Sequence, residues 1–337
     1  MIELYGFDQT QEEIVRSIRN SQLHHCNLIN GTRGIGKNCF VRNMACIALS
    51  VRHGGDYPTE LEVERTNKLI NSGGHTDLVT LNINTMDEDG KENTSKKSEI
   101  NVKQVRKVIE EVKLTQSIAE NKVMIVDSID MVNVNGQNAL LKTLEEPSPN
   151  TYIFLVCHNI QKVLNTVQSR CNIINVPDLT LENWQKAFRK VYGEKIKYDD
   201  SSIKDLYNLS GHSVGLAIDI TNNNVIGLQD EIIESIFTKD IIKIQKLAES
   251  VYSNEVFNLF KIFLDRFFEN MIYCQRTKTD NNLFGKNDKL VKVHLEKGDI
   301  RRTIENYERS KKIIHDMETY NLDRKHCITV MLNDLTL

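Results

Sequence analysis

Proline is scarce in this 337-residue chain: there are four, none after Pro177, so whatever follows can run in unbroken helices. Charge of one sign is not in excess either. A formal net charge of -3 excludes a bulk electrostatic pull toward nucleic acid and leaves only a local basic patch as a means of meeting it. No apolar run approaches the roughly 20 residues that a membrane helix needs, and no repeat with a period of 20–50 residues is visible. CxxC pairs are missing. The seven cysteines (Cys26, Cys39, Cys46, Cys157, Cys171, Cys274 and Cys327) are scattered and odd in number, and no cationic-then-apolar leader pattern opens the sequence. Free thiols in a reducing cytoplasm are the expectation. With 40% hydrophobic and 26% charged residues, the composition is that of a globular chain of two or three domains.

What is present first is an alternation of strand and helix patterns. Residues 9–22 predict a helix, 27–30 a short strand, 31–36 a Gly-rich turn and then a helix to about Val51. A polar helical piece lies within 52–76, and a second strand over 77–83. Residues 84–99 have almost no apolar content and predict an exposed, mobile loop. Val102, Val105, Val108, Ile109 and Val112 fall at helical spacing. The apolar run 123–126 fits a buried parallel strand. A helix over 136–146 is stopped by Pro147, and strands follow at 152–156 and 173–176. Strands alternating with helices imply a parallel sheet covered on both faces. After Pro177 only helical periodicity remains: short helices over 178–221 broken at Gly193, Gly211 and Gly215, then longer ones, including 255–274 and 301–320.

Gly31, Gly34, Gly36 and Lys37 match the P-loop pattern GxxxxGK[ST] between a strand and a helix, and Asn38 departs from its last position. Glycines let backbone amides turn toward phosphate oxygens, the helix adds its positive end, and the lysine carries a charge to the outer phosphates. A Ser or Thr hydroxyl at position 38 would sit on Mg²⁺. Asparagine's oxygen lies one bond further out on a planar amide and crowds an octahedral ion. Three outcomes stay open: weak nucleotide binding, binding without well-placed metal, or a loop that only shapes the fold.

The segment KVMIVDSID at 122–130 reads as a strand ending in Asp127, the acid that would hold Mg²⁺ through water. The next position, where a general base would orient the attacking water, is Ser128. A serine hydroxyl carries no charge near neutral pH. Asp130 stands two residues beyond and is expected to point elsewhere. Two losses at the two places hydrolysis needs predict negligible ATP turnover by this chain alone.

In order, the P-loop, VMIVDSID at 123–130, NALLKTLEEP at 138–147, a strand ending in Cys157 and His158, and QSRC at 168–171 resemble the bacterial clamp-loader branch of the AAA+ ATPases; the closing stretch at 320–328 resembles that family's last collar helix. The resemblance is dense over 1–176 and thins beyond it. It implies an α/β fold: a P-loop AAA+ parallel-sheet core over 1–176, a small helical lid over 177–223 and a C-terminal all-helical collar domain over 224–337. It also implies a non-hydrolysing, stator-type subunit. On that reading Arg170 matches the arginine finger offered to a neighbouring subunit's ATP, where such fingers are worth roughly 10³–10⁵ in rate. Gly31, Gly34, Gly36, Lys37, Asn38 and Asp127 form a degenerate nucleotide site, and ATP and Mg²⁺ are not required. The implied partners are a gamma/tau-type motor and a delta subunit in a hetero-pentameric ring. The sliding clamp and primed DNA are reached through that complex, and no membrane is involved. Lys103, Arg106 and Lys107 lie on a helix that in relatives approaches DNA.

Departures from the family pattern point the same way. Residues 50–77 lack the cysteines of the family's zinc module; Cys46, His53 and His75 have no standard spacing, so no zinc is expected. Leu216 stands where the lid's second-sensor arginine belongs. Bland readings stand beside the sharp ones. Arg170 fits a surface ion pair, His158 a hydrogen-bonded turn rather than a sensor, and the three basic residues a solvated helix face. Glu145 and Glu146 read as a helix end, and Phe257, Phe260, Phe263, Phe267 and Phe268 as collar packing or core. The rival functions are an ATP-hydrolysing AAA+ subunit and a stand-alone ATP-sensing adaptor.

Overall fold

The computed structural model describes residues 3–20, 22–52, 57–86, 99–193, 200–278, 284–295 and 298–335. The expected loop at 84–99 falls mostly on 87–98 and so lies outside the described residues, as does His53. The chain divides into two compact units, Met1–Ala217 and Ile218–Leu337.

The first unit runs α1 (Asp8–Arg19), β1 (Cys26–Asn30), α2 (Lys37–Ser50), α3 (Glu60–Asn71), β2 (Leu78–Asn82), α4 (Val102–Lys113), β3 (Lys122–Asp127), α5 (Val134–Glu145), β4 (Thr151–Cys157), α6 (Asn165–Gln168), β5 (Asn172–Asn175), α7 (Leu181–Tyr192), α8 (Asp200–Leu209) and the start of α9 (Val214–Asn222). Local chemistry sets several of these ends. Thr59 with Glu62 and Asn101 with Gln104 form capping boxes at α3 and α4. Asn133 caps α5 by accepting the Gly136 N–H, which starts that helix earlier than the apolar spacing alone suggests. Gly215 is not a break, as expected from sequence, but lies in the first turn of α9. Ser213 Oγ accepts the Leu216 N–H at 3.0 Å and so opens the helix ahead of the glycine.

The strands form one parallel sheet in the order β2-β3-β4-β1-β5. Side chains alternate across it. Leu28, Met124, Val126, Ile153 and Leu155 share a buried cluster with Val105, Val108 and Val112 of α4 and Leu140 and Leu144 of α5. Helix α2, buried along most of its length, packs against β3 and β4. Its Phe40 stacks on Phe7 with ring centroids 4.9 Å apart. With the sheet covered on both faces, the carboxyl ends of the strands are where loops can converge on a ligand.

The second unit is helical among its described residues: α10 (Leu228–Thr238), α11 (Ile241–Ser250), α12 (Asn254–Thr277), α13 (Asp288–Leu295), α14 (Ile300–Tyr320) and α15 (Arg324–Asp334). The five phenylalanines of α12 are buried within this unit, at most 3% exposed, so they are its own core. Arg324 lies over the Phe257 ring at 4.3 Å and donates to Tyr252 O and Asn254 Oδ1, tying α15 to the start of α12. No helix among the described residues is long and apolar enough to cross a membrane.

One buried charge closes the first unit away from the strands' carboxyl ends. Asp77, fully buried just before β2, accepts the backbone N–H groups of Ser117, Ile118 and Ala119 at 2.8, 2.7 and 2.8 Å. Burial pushes its carboxyl up, but the three donors outweigh it and hold the group below the usual carboxylate range. A depressed native value adds stability above the unfolded carboxylate's value of about 3.9, and that stability is lost as pH falls through the lower native value. Asp77→Asn is expected to destabilise by about 1.5–3 kcal/mol at neutral pH. Urea unfolding of both proteins checks this: the gap narrows below about pH 4, whereas a gap independent of pH would assign the loss to shape rather than charge.

Candidate nucleotide cradle and the arginine at the far end of the sheet

The Gly-rich turn leaves the carboxyl end of β1 and enters α2 at Lys37. Gly34 and Gly36 adopt φ of +80° and +104°, a region that favours glycine. At Gly31 a Cβ would come within 2.8 Å of Val176 O, so that glycine is required by the chain leaving β5. Lys37 is 2% exposed, and its ammonium donates to Gly31 O and Thr32 O, both at 2.6 Å. Burial draws its pKa down to about 8 against the upward pull of Cys157, Asp130, Asp127 and Asp178, so the ammonium remains mostly protonated at pH 7. The Asn38 amide Nδ2 donates to Asp127 Oδ2 at 2.6 Å. An ionised carboxylate only accepts, which dictates that the NH₂ of Asn38 faces it.

Asp127 is brought to this place by register: it ends β3 opposite Val156, next to the strand whose Cys157 lies opposite Asn30 of β1. The Ser128 Oγ beside it is buried without a hydrogen-bond partner. Asp130 is turned to the end of the neighbouring strand. Its Oδ1 accepts the His158 backbone N–H at 2.9 Å and ties the turn after β3 to the end of β4. Burial, and then the Lys37 charge, lower the His158 imidazole to about 4, so the ring is neutral at pH 7. Its Nδ1 is buried with no partner, so the residue is bonded through its backbone and not through its ring.

Sequence patterns did not reveal how the helical segment after Pro177 meets the cradle. Gly215 N–H donates to Gly34 O at 2.9 Å, and a Cβ on Gly34 would collide with Ser213 Oγ. Asp178 accepts from Thr32 Oγ1 at 2.5 Å and lies 3.5 Å from His212 Nδ1. The P-loop tip is thus closed by protein groups, with Leu216, half-buried, in the first turn of α9. No motif marks Asp178; only its place directly after Pro177 could have drawn attention to it.

Arg170 is elsewhere. It sits in the turn between α6 and β5, and β5 is parallel to β1 with Asn172 opposite Asn27. The guanidinium is therefore at the amino ends of the strands and the cradle at their carboxyl ends, roughly 15 Å of strand apart at about 3.3 Å per residue. The segment that leads from β4 into α6 is held by side-chain amides: the buried Gln137 Nε2 donates to Val132 O and Lys162 O while its Oε1 accepts the Leu164 N–H, and the half-buried Gln168 Nε2 donates to Ile160 O and Val163 O. Arg170 Nε donates to Glu145 Oε1 at 2.6 Å, and its Nη2 contacts the same oxygen. Next to it, Cys171 Sγ lies 3.1 Å from Cys26 Sγ; that contact and burial push the Cys26 thiol up. Glu145, read from sequence only as a helix end, is the ion-pair partner of Arg170 that pattern reasoning missed.

Lys103 and Arg106 are exposed on α4 and Lys107 is half-buried there, all on the side away from the buried valines. They join neither the cradle nor Arg170. Cys46 donates to Val63 O and His75 Nδ1 accepts the Asp77 N–H. Among the described residues no group of three or more His, Cys, Asp or Glu is placed to hold a metal ion.

The chain is 28% identical over 235 residues to DNA polymerase III subunit gamma of Buchnera aphidicola subsp. Schizaphis graminum, covering 64% of this chain and 58% of that protein. It is 31% identical over 151 residues to DNA polymerase III subunit delta' of Pseudomonas aeruginosa, covering 45% and 42%. The chain thus spans about half the length of these curated relatives. Among solved structures, a DNA polymerase III gamma subunit-related protein from Thermotoga maritima aligns over 96% of this chain and 99% of that chain, at 15% identity and a TM-score of 0.41. The family model described as DNA polymerase III, delta subunit, matches residues 7–180, just over half of the chain. With its parallel sheet, P-loop turn and motif order, the chain belongs to this DNA polymerase III subunit family, in the clamp-loader branch of the AAA+ proteins.

Proposed function

We propose that this chain is a delta-prime-type stator of the DNA polymerase III clamp loader. In this reading it does not hydrolyse ATP, and it lends Arg170 in trans to the ATP of a neighbouring gamma/tau-type motor subunit. With the delta subunit it completes a hetero-pentameric ring that places the sliding clamp on primed DNA. The observation that carries the reading is the parallel register of β1 and β5. It holds Arg170 at the opposite end of the sheet from the chain's own cradle, which supports a role at a site on another molecule rather than at its own.

The cradle supports the non-hydrolysing half. Mg²⁺ demands near-ideal octahedral oxygen geometry and is held through carboxylates and phosphates. Here the one carboxylate in position, Asp127, faces an amide NH₂, Asp130 is engaged by the His158 N–H, and Ser128 offers no base. These contacts count against a well-placed metal–triphosphate, and among the described residues of the cradle it is Ser128 that stands where a base would deprotonate water. The competing reading, an ATP-hydrolysing subunit, is favoured by one specific observation: Gly31, Gly34, Gly36 and Lys37 keep the geometry of a phosphate loop. The purified chain is expected to release phosphate from Mg-ATP at far below the roughly 1 per second of a working enzyme; turnover near that rate would establish the competing reading.

Substituting Arg170→Ala in the reconstituted complex is expected to lower hydrolysis at the motor site facing this chain by roughly 10³–10⁵, with assembly intact by gel filtration. Wild-type turnover at that site would remove the finger role. For Lys103, Arg106 and Lys107, sequence-blind phosphate contact predicts that the triple alanine variant weakens binding of the complex to primed DNA. The slope of log affinity against log salt should fall by up to roughly 3, since each neutralised phosphate contributes about 0.9. An unchanged slope would leave these residues as a solvated helix face.

A further inference from the structure

Four of the five N–H donors of the Arg170 guanidinium are engaged within its own chain. Nε and Nη2 meet Glu145 Oε1, the first at 2.6 Å, and Nη1 donates to Thr166 O at 2.8 Å and Ser169 Oγ at 3.3 Å. We propose that Glu145, the last residue of α5, is a positioning residue that holds Arg170 in reserve and yields it only when a neighbouring subunit's phosphates compete for it. The proposal rests on the finger role assigned to Arg170 above.

Competition is the natural outcome of the chemistry. Carboxylate and phosphate oxygens both match the planar fork of a guanidinium, so a group bound to Glu145 cannot at the same time present the same N–H groups to a triphosphate. The strength of the restraint also fits. The Arg170 and Glu145 side chains are 33% and 48% exposed, so water screens the pair. Such pairs bias an equilibrium by up to about five-fold, or about 1 kcal/mol. A polyanion can displace a hold of that size, whereas a deeply buried pair would keep the arginine out of use.

Glu145→Gln keeps the shape and removes the charge; Glu145→Asp keeps the charge on a shorter arm. In the complex reconstituted with an ATP-hydrolysing gamma-type subunit, Glu145→Gln is expected to raise turnover at saturating ATP about two- to five-fold, with KM for ATP unchanged. Glu145→Asp should return it toward wild type. The double variant Glu145→Gln with Arg170→Ala should match Arg170→Ala alone, because no finger is left to release. Turnover of Glu145→Gln at or below wild type, in a preparation where Arg170→Ala is impaired, overturns the reserve role and leaves the finger standing. Normal turnover by Arg170→Ala overturns the finger and the proposal with it. A second readout needs only the full-length isolated chain. In ¹⁵N NMR the Arg170 Nε–H should exchange slowly with water in wild type and quickly in Glu145→Gln, and equal exchange in both would overturn the hold itself.

Discussion

Two parallel strands lying side by side put their beginnings at one end and their finishes at the other, and the site depends on that constraint. Because β5 pairs with β1 in parallel, with Asn27 opposite Asn172 and Asn30 opposite Asn175, the turn that enters β5 and the turn that leaves β1 cannot meet. Side-chain amides reinforce the pairing: Asn172 donates to Asn27 Oδ1 at 3.1 Å and Asn30 to Asn175 Oδ1 at 2.9 Å. A phosphate loop and an arginine on the same subunit are thereby separated by the length of a strand. Under the proposed reading, assembly with a second subunit is what turns the separation into a catalytic arrangement.

The two ends of the sheet are held with different firmness. At the carboxyl end the charges are met by the protein itself: Lys37 by two loop carbonyls, Asp127 by Asn38, Asp130 by the His158 N–H, and Asp178 by Thr32 with His212 nearby. Backbone contact between Gly34 and Gly215 brings the start of α9 and the loop together where any larger side chain at 34 would clash. The unpaired Nδ1 of His158 and Oγ of Ser128 are the loose ends there. At the amino end the Arg170 and Cys171 N–H groups donate to Val167 O and Gln168 O and fix the turn, while the guanidinium itself is held by a partly exposed pair, the kind of contact that contributes least to stability.

Much of this was legible in the residues. Each strand and the helices flanking the P-loop followed from apolar period and from Gly and Pro placement, and Asn38 and Ser128 announced a cradle of unusual chemistry. The failures have physical reasons. Gly215 looked like a helix break because sequence shows the missing Cβ but not the backbone it must pass; its role is close approach to Gly34. Asp130 was expected to point elsewhere, but where it points could not be read, because its partner is a backbone N–H just after another strand that no spacing rule reveals. Glu145 ends an amphipathic helix and looked like ordinary capping charge; only the fold brings it to Arg170, 25 positions later. Asp77 carried no motif at all, since its three donors come from a loop about 40 residues further on.

These misses share a cause, and it bears on how such a subunit can change its work without changing its fold. The sheet is specified by many apolar side chains, each replaceable by another of similar volume. The chemistry at its two ends is specified by single polar contacts made across long sequence distances. An amide in place of a hydroxyl at 38 and a hydroxyl in place of an acid at 128 alter the cradle without touching the buried strands, and neither disturbs the amino end, where Arg170 meets Glu145. A P-loop core can therefore keep its arginine at 170 while its own cradle takes on different chemistry, because the two share no contact.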